Sequence, residues 1–208
     1  MATSNSQRIG IWAIAVIMIL GTLGSFFLIV VANQNDVNDQ QSLNEMQQKY
    51  MKQVQEYQKK LTDQASELSK KYYKSFEKYE DQPEKFNADK VTKLTTVDLK
   101  KGDGAVVKEG TEWGAYYVGW LPTGQMFDSS FNGKELRPPI TSDMGLIEGW
   151  TKGMQGMRIG GVRVITIPAE LAYGETGSGK IEPNTPIKFV VMAIPKPQTI
   201  PQPDTPQQ

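Results

Sequence analysis

Residues 10–32 read GIWAIAVIMILGTLGSFFLIVVA, without a single charged side chain. As a helix this run is roughly 34 Å long, enough to cross the hydrocarbon core of a bilayer. It has no polar face, so it is unsuited to packing on a water-exposed core. Trp12 sits near one end, where an interfacial indole is expected. Arg8 precedes the run and Asp36 and Asp39 follow it. The positive-inside rule then puts residues 1–9 in the cytoplasm and everything after residue 33 on the other side. A cleaved signal peptide is the competing reading, because Val30-Val31-Ala32 offers small residues before a cut. The run is longer than the usual h-region of about 7–15 residues. Both readings place the rest of the chain outside the cytoplasm.

The 208 residues carry a formal net charge of zero, with neither cysteine nor histidine. A balanced charge gives no footprint for nucleic acid. Without Cys or His there are no disulfides, thiol nucleophiles, zinc–thiolate centres or Ser-His-Asp triads. No metal and no cofactor are expected. The chemistry left open by composition uses carboxylates, hydroxyls, Lys, metal–carboxylate sites, or catalysis without proton transfer.

After the apolar run comes an 11-residue repeat: EMQQKYMKQVQ at 45–55, EYQKKLTDQAS at 56–66 and ELSKKYYKSFE at 67–77. Glu45, Glu56 and Glu67 each precede a Lys by four residues, the favourable order for helical pairs. Apolar side chains fall at Met46, Tyr50, Val54, Tyr57, Leu61, Ala65, Leu68, Tyr72 and Phe76. Eleven residues over three turns keep such a stripe nearly straight or drifting right-handed. Ser42-Leu43-Asn44-Glu45 has the form of a capping box, and Pro83 stops the helix. The segment 33–83 reads as a helical stalk: a spacer packed on something, with a fold back onto the chain's own domain open, a self-associating coiled coil, or a helix on a membrane surface. It is expected to be dispensable for the chemistry of the C-terminal half.

Beyond a linker at 84–92 the period changes to two. The runs AVVKEG, EWGAYYVGWL, GVRVITIP and PIKFVVMAI alternate with Gly and Pro turns. They predict an antiparallel sheet with one buried face. One amphipathic helix is predicted over about 146–157, its apolar face formed by Ile147, Trp150, Met154 and Met157. The fold class is therefore α+β, over 93–196. The Pro/Gln-rich tail at 197–208 is expected to be disordered.

Several motifs follow in one order: Tyr116-Tyr117-Val118-Gly119, Gln125-Met126-Phe127-Asp128-Ser129-Ser130, Leu146-Ile147-Glu148-Gly149-Trp150, Gly156-Met157-Arg158-Ile159-Gly160, Leu171-Ala172-Tyr173-Gly174, Ile181-Glu182-Pro183-Asn184 and Ile187-Lys188-Phe189. Taken one by one, Trp150, Phe127 and Phe189 read as core and Asp128-Ser129-Ser130 as a turn or cap. Jointly, over about 94–196, they resemble the FKBP family of peptidyl-prolyl cis–trans isomerases. The resemblance implies an FKBP-like sheet wrapped around one short helix. It implies an aromatic bowl lined by Tyr117, Phe127, Leu146, Ile147, Trp150, Tyr173, Ile181 and Phe189. In that bowl Trp150 is the floor, and Tyr117, Phe127 and Phe189 are walls. The Ile147 N–H and the Tyr173 hydroxyl meet substrate carbonyls, and Asp128 polarises the rim. The implied partners are proline-containing protein substrates and macrolides.

The sequence departs from the family pattern after Ser130. In FNGKELRPPITSDMG, Arg137 or Pro138 stands where a wall aromatic is expected, so one side of the bowl reads as more open or more polar. Glu182 stands where a Pro is common. Three functional readings remain: an isomerase of extracytoplasmic clients, an FKBP-fold chaperone or adaptor that grips Pro-containing segments without turnover, and an assembly protein dominated by its stalk.

Overall fold

The computed structural model describes residues 37–204, with side chains from residue 44 onward. The expected span at 10–32 and the final four residues of the tail lie outside the described residues. Among those described, no helix is long and apolar enough to cross a membrane.

Helix α1 runs Val37–Phe76, 40 residues, and tightens into a 3-10 turn at Glu77–Tyr79. It begins upstream of the expected cap at Ser42. Residues 37–41 hold neither Gly nor Pro, so nothing in them breaks the helix ahead of Ser42. The repeat's Glu–Lys partners do not close; the ion pairs along the described part of α1 are Lys59–Asp63 and Lys74–Glu77. The chain divides at Glu56: residues from Tyr57 to Pro201 form one compact unit, which therefore includes the second half of α1.

The strands are β1 (Thr95–Lys100), β2 (Trp113–Trp120), β3 (Met126–Ser129), β4 (Phe131–Asn132), β5 (Glu135–Leu136), β6 (Ile140–Thr141), β7 (Val162–Ile167) and β8 (Ile187–Pro195), with helix α2 at Glu148–Met154. The main sheet is antiparallel in the order β1-β7-β8-β2-β3, and β6 adds to the end of β2. The AVVKEG run is not a strand. Val107 is buried, but its N–H donates to Met157 O (2.7 Å) and its carbonyl accepts from the Gly156 N–H (2.9 Å), so it pairs with the turn after α2. Its place in the sheet is taken by Thr95–Lys100, exposed at every position. Helix α2 is shorter than the predicted 146–157, because Ile147 has an extended backbone and acts as its N-cap.

The sheet is covered on both faces, not one. Ala115, Ile165, Ile167, Phe189 and Val191 pack with Trp150 and Met154 of α2. The alternate residues Tyr116, Val118, Val190, Met192 and Ile194 pack with Phe76, Tyr79, Phe131 and Leu136. Strands buried on both sides lose polar alternation and read as continuous apolar runs, which is what GAYYVGW and FVVMAI are.

The second cover comes from segments expected to be stalk and linker. Phe76 has no solvent exposure, and Ser69 is buried. The Ser69 hydroxyl accepts the Leu136 N–H at 2.8 Å. The Phe86 N–H donates to Pro122 O (3.0 Å), and Trp120 Nε1 donates to Glu84 O (3.0 Å). The folded unit thus begins near Tyr57, well before residue 93, because the apolar residues of β2 and β8 would otherwise lie bare on that face. The tail is tied at its start, where Gln64 Nε2 donates to Gln198 O at 2.9 Å.

Helix α2 lies flat on β7 because of two glycines. A Cβ on Gly149 would sit 2.3 Å from Ile167 Cγ2, and one on Gly153 would sit 2.5 Å from Ile165 Cγ2. Buried Arg163 fastens the far end. Its Nη1 donates to Gly153 O (2.9 Å) and Gln155 O (2.8 Å), while its Nε pairs with Asp98 on β1 at 2.6 Å. A cation there also complements the partial negative charge of a helix C-terminus.

Candidate active site

A cavity of about 190 Å³ opens between α2, β2, β3 and the loop before α2. It is lined by Tyr117, Phe127, Asp128, Ile140, Gly145, Leu146, Ile147, Trp150 and Tyr173. Seven of these carry expected site roles. Ile181 and Phe189, the two others, are buried in the adjoining core cluster and do not line the cavity.

Trp150 is only 3% exposed, yet it borders the cavity. Its ring is fixed on several sides: Trp113 stacks on it at 6.2 Å and 16°, and Phe189 and Tyr117 meet it edge-on at 5.1 and 5.5 Å. Phe127 packs edge-on against Phe189 at 5.5 Å, so Phe189 supports the wall that Phe127 and Tyr117 present. Fixed rings of this kind give an apolar surface with little entropy left to lose on binding.

Asp128 gathers the polar groups. Its Oδ2 accepts the Tyr117 hydroxyl, and its Oδ1 accepts the Ser129 N–H at 2.9 Å and Arg137 Nη2 at 2.7 Å. Asp128-Ser129-Ser130 is thus neither a turn nor a cap. Ser129 closes β3, and the Ser130 hydroxyl takes the Tyr117 N–H (2.9 Å), continuing the pairing with β2. Burial first, and then the neighbouring Asp128 charge, raise the Tyr117 hydroxyl far above its ordinary value; the same two causes raise Tyr173. Both phenols stay protonated and able to donate. The Ile147 N–H has no acceptor among the described residues.

The gap expected at Arg137 or Pro138 is filled differently. Arg137 joins Asp128, and Ile140, three residues on, supplies apolar lining. Ile140 and Gly145 were not among the expected site residues. The signal for Ile140 was present as the first apolar side chain after Pro138-Pro139, on a segment that returns to pair with β2. The loop from Ile140 to Ile147 is pinned by Lys196, which bridges Glu112 (2.7 Å) and Asp143 (3.0 Å), and by the Trp113 N–H donating to the Ser142 hydroxyl (3.2 Å).

The site is an aromatic-floored hollow with hydrogen-bonding groups at its edge. Residues 104–194 match the sequence profile of the FKBP-type peptidyl-prolyl cis-trans isomerase family. An FK506-binding protein of Neisseria meningitidis serogroup A is 42% identical over 93 residues, which cover 43% of this chain and 83% of that protein. An FK506-binding protein of Streptomyces anulatus is 41% identical over 103 residues, covering 47% of this chain and 81% of its own. The crystal structure of AtFKBP13 aligns with a TM-score of 0.44 at 36% identity, covering 50% of this chain and 93% of that one.

Proposed function

Because the chain belongs to the FKBP-type peptidyl-prolyl cis–trans isomerase family and is such an isomerase, we propose that the cavity over Trp150 is where an X–Pro bond is rotated. The observation that carries this reading is the joint placement of a fixed aromatic floor and the Tyr117–Asp128–Arg137 group at one opening. Rotation passes through a twisted amide that has lost its resonance, over a barrier of about 18–20 kcal/mol. The twisted form has a less polar carbonyl than the planar one. A water-poor hollow therefore favours it, and each tenfold in rate asks for about 1.4 kcal/mol of such preference. The volume, about 190 Å³, suits one prolyl residue or one ring of a larger ligand whose remainder stays outside the cavity.

In this account the proline ring lies over Trp150 between Tyr117 and Phe127. The free Ile147 N–H and the protonated Tyr173 hydroxyl take substrate carbonyls. Asp128, holding both Tyr117 and Arg137, keeps the rim in one geometry. The relatives' names refer to FK506, and macrolide binding in the same cavity is part of the proposal.

The same reading keeps residues 10–32 as an uncleaved anchor, with the isomerase unit and its client proteins outside the cytoplasm. Support for this comes from the length of the uncharged run and from Arg8 before it and Asp36 after it. Self-association through the first part of α1 is a further expectation, supported by its repeat. Carbonate-resistant membrane association and protease accessibility from the outer side test the topology; a freely extractable chain excludes the anchor.

For the chemistry, the full chain in detergent micelles should accelerate a protease-coupled X–Pro assay, and an FK506-class macrolide should block it. Peptide binding with no acceleration would instead support the chaperone or adaptor reading.

A further inference from the structure

The hairpin that carries Arg137 to the site cannot hold itself in place. Its strands, β4 and β5, have two residues each, and they form a separate two-stranded sheet. An isolated hairpin of that size has no independent stability in water. What fixes it lies on the far side from the cavity. Phe131 and Leu136 are buried in the second core cluster. The Phe76 ring stacks on Phe131 at 5.3 Å, and the Tyr73 ring meets it edge-on at 6.2 Å. The Leu136 N–H is satisfied by the Ser69 hydroxyl of α1 at 2.8 Å. The very next residue is Arg137. Its N–H donates to Ser130 O (2.8 Å), and its guanidinium reaches Asp128 at 2.7 Å.

We infer that Ser69 is a positioning residue for isomerisation: through the Leu136 N–H it sets the hairpin so that Arg137 pairs with Asp128 at the cavity rim. The second half of α1 is then part of the enzyme's working unit and not a spacer alone. This rests on the isomerase reading of the cavity.

A double-mutant cycle on the full chain in detergent micelles tests it, with Ser69→Ala, Arg137→Gln and both together, read as kcat/KM for a short X–Pro peptide. Removing the hydroxyl leaves a buried N–H unpaired, and Ser69→Ala is expected to lower kcat/KM about three- to tenfold. In the Arg137→Gln background the same change is expected to cost less than about twofold, because the route it acts through is gone. Ser69→Thr, which keeps the hydroxyl, should retain activity. A merely structural Ser69 would give the same drop in both backgrounds, and that result, or no drop at all, overturns the inference. Melting curves establish that each variant is folded at the assay temperature. If Ser69→Ala does not fold, Tyr73→Leu goes through the same cycle with the same expectations. A wild-type chain active with an unaffected Ser69→Ala removes the inference and leaves the isomerase reading standing. A wild-type chain that binds peptide without turnover removes that reading, and the cycle is then judged on peptide Kd. No binding and no turnover overturns both.

Discussion

The rings of Phe76, in the last turn of α1, and Phe131, in the hairpin after β3, stack with centroids 5.3 Å apart and planes within 6° of parallel. Fifty-five residues separate them in the sequence, and the contact joins a segment that reads as stalk to one that reads as catalytic domain. A truncation starting near residue 92 would uncover Tyr116, Val118, Val190 and Met192 on that face.

Phe76 should therefore behave as a core residue. Phe76→Ala is expected to destabilise the unit by about 3–5 kcal/mol, the usual cost of a buried Phe-to-Ala cavity. Urea denaturation followed by tryptophan fluorescence measures it. A loss under about 1 kcal/mol, typical of a surface change, would mean α1 is not part of this core.

Asp128→Ala should leave the fold intact and reduce kcat/KM by about ten- to a hundredfold, the equivalent of ~1.5–3 kcal/mol for hydrogen bonds to a charged group. The loss should fall mainly on kcat, because the peptide's apolar contacts with Trp150 and Phe127 are untouched. Steady-state assays over a range of peptide concentrations separate kcat from KM.

High pH should act on stability before it acts through any histidine, since there is none. Burial raises both Tyr116 and Tyr117 above their ordinary 10.0. The folded chain then keeps two protons that the unfolded chain releases, so their contribution is complete below about pH 10 and declines as pH rises from there through the folded values. Urea midpoints should be level from pH 7 to 9 and fall above about pH 10. Activity should show no basic limb below the same point. Tyr116 adds a check, because its hydroxyl is buried with no hydrogen-bond partner among the described residues. Tyr116→Phe should be neutral or stabilising at pH 7, by up to about 1–3 kcal/mol, and should blunt the alkaline decline.

Arg163→Ala should cost about 1.5–3 kcal/mol, because the Gly153 and Gln155 carbonyls lose a charged donor at the end of α2. Asp98→Asn should cost less, since the Asp98 side chain is about half exposed. Thermal or urea unfolding of the two variants gives the comparison, and an equal loss would assign the stability to the ion pair and not to the helix end.

How far the sequence disclosed this arrangement depends on the kind of physics involved. The family resemblance implied that Asp128, Ile147, Trp150 and Tyr173 share one bowl, and they border one cavity; read singly, local signals gave only core, turn and loop positions. Two-sided burial of the sheet was visible in the unbroken apolar runs of β2 and β8, but a period-two reading looks for alternation and passes over it. The docking of α1 was open in the sequence, as a fold back onto the chain's own domain, but was not singled out there. The Tyr72, Tyr73 and Phe76 side chains fit a coiled-coil stripe as well as a sheet face, and only the partner surface distinguishes the two. Strand β1 was missed because TTVDLK is polar and exposed throughout, held by pairing with β7 and not by burial. The Arg137–Asp128 pair spans a hairpin whose two-residue strands carry almost no sequence signal.

The most direct test of the central claim is exchange NMR on a short X–Pro peptide, with the full chain in micelles at substoichiometric concentration, while the Trp150 indole N–H resonance is followed in the same titration. The account predicts cis–trans exchange far above the uncatalysed rate, together with a shift of the Trp150 resonance that an X–Ala peptide does not produce. Accelerated exchange with an unmoved Trp150 resonance, or exchange at the rate of peptide alone, would contradict it.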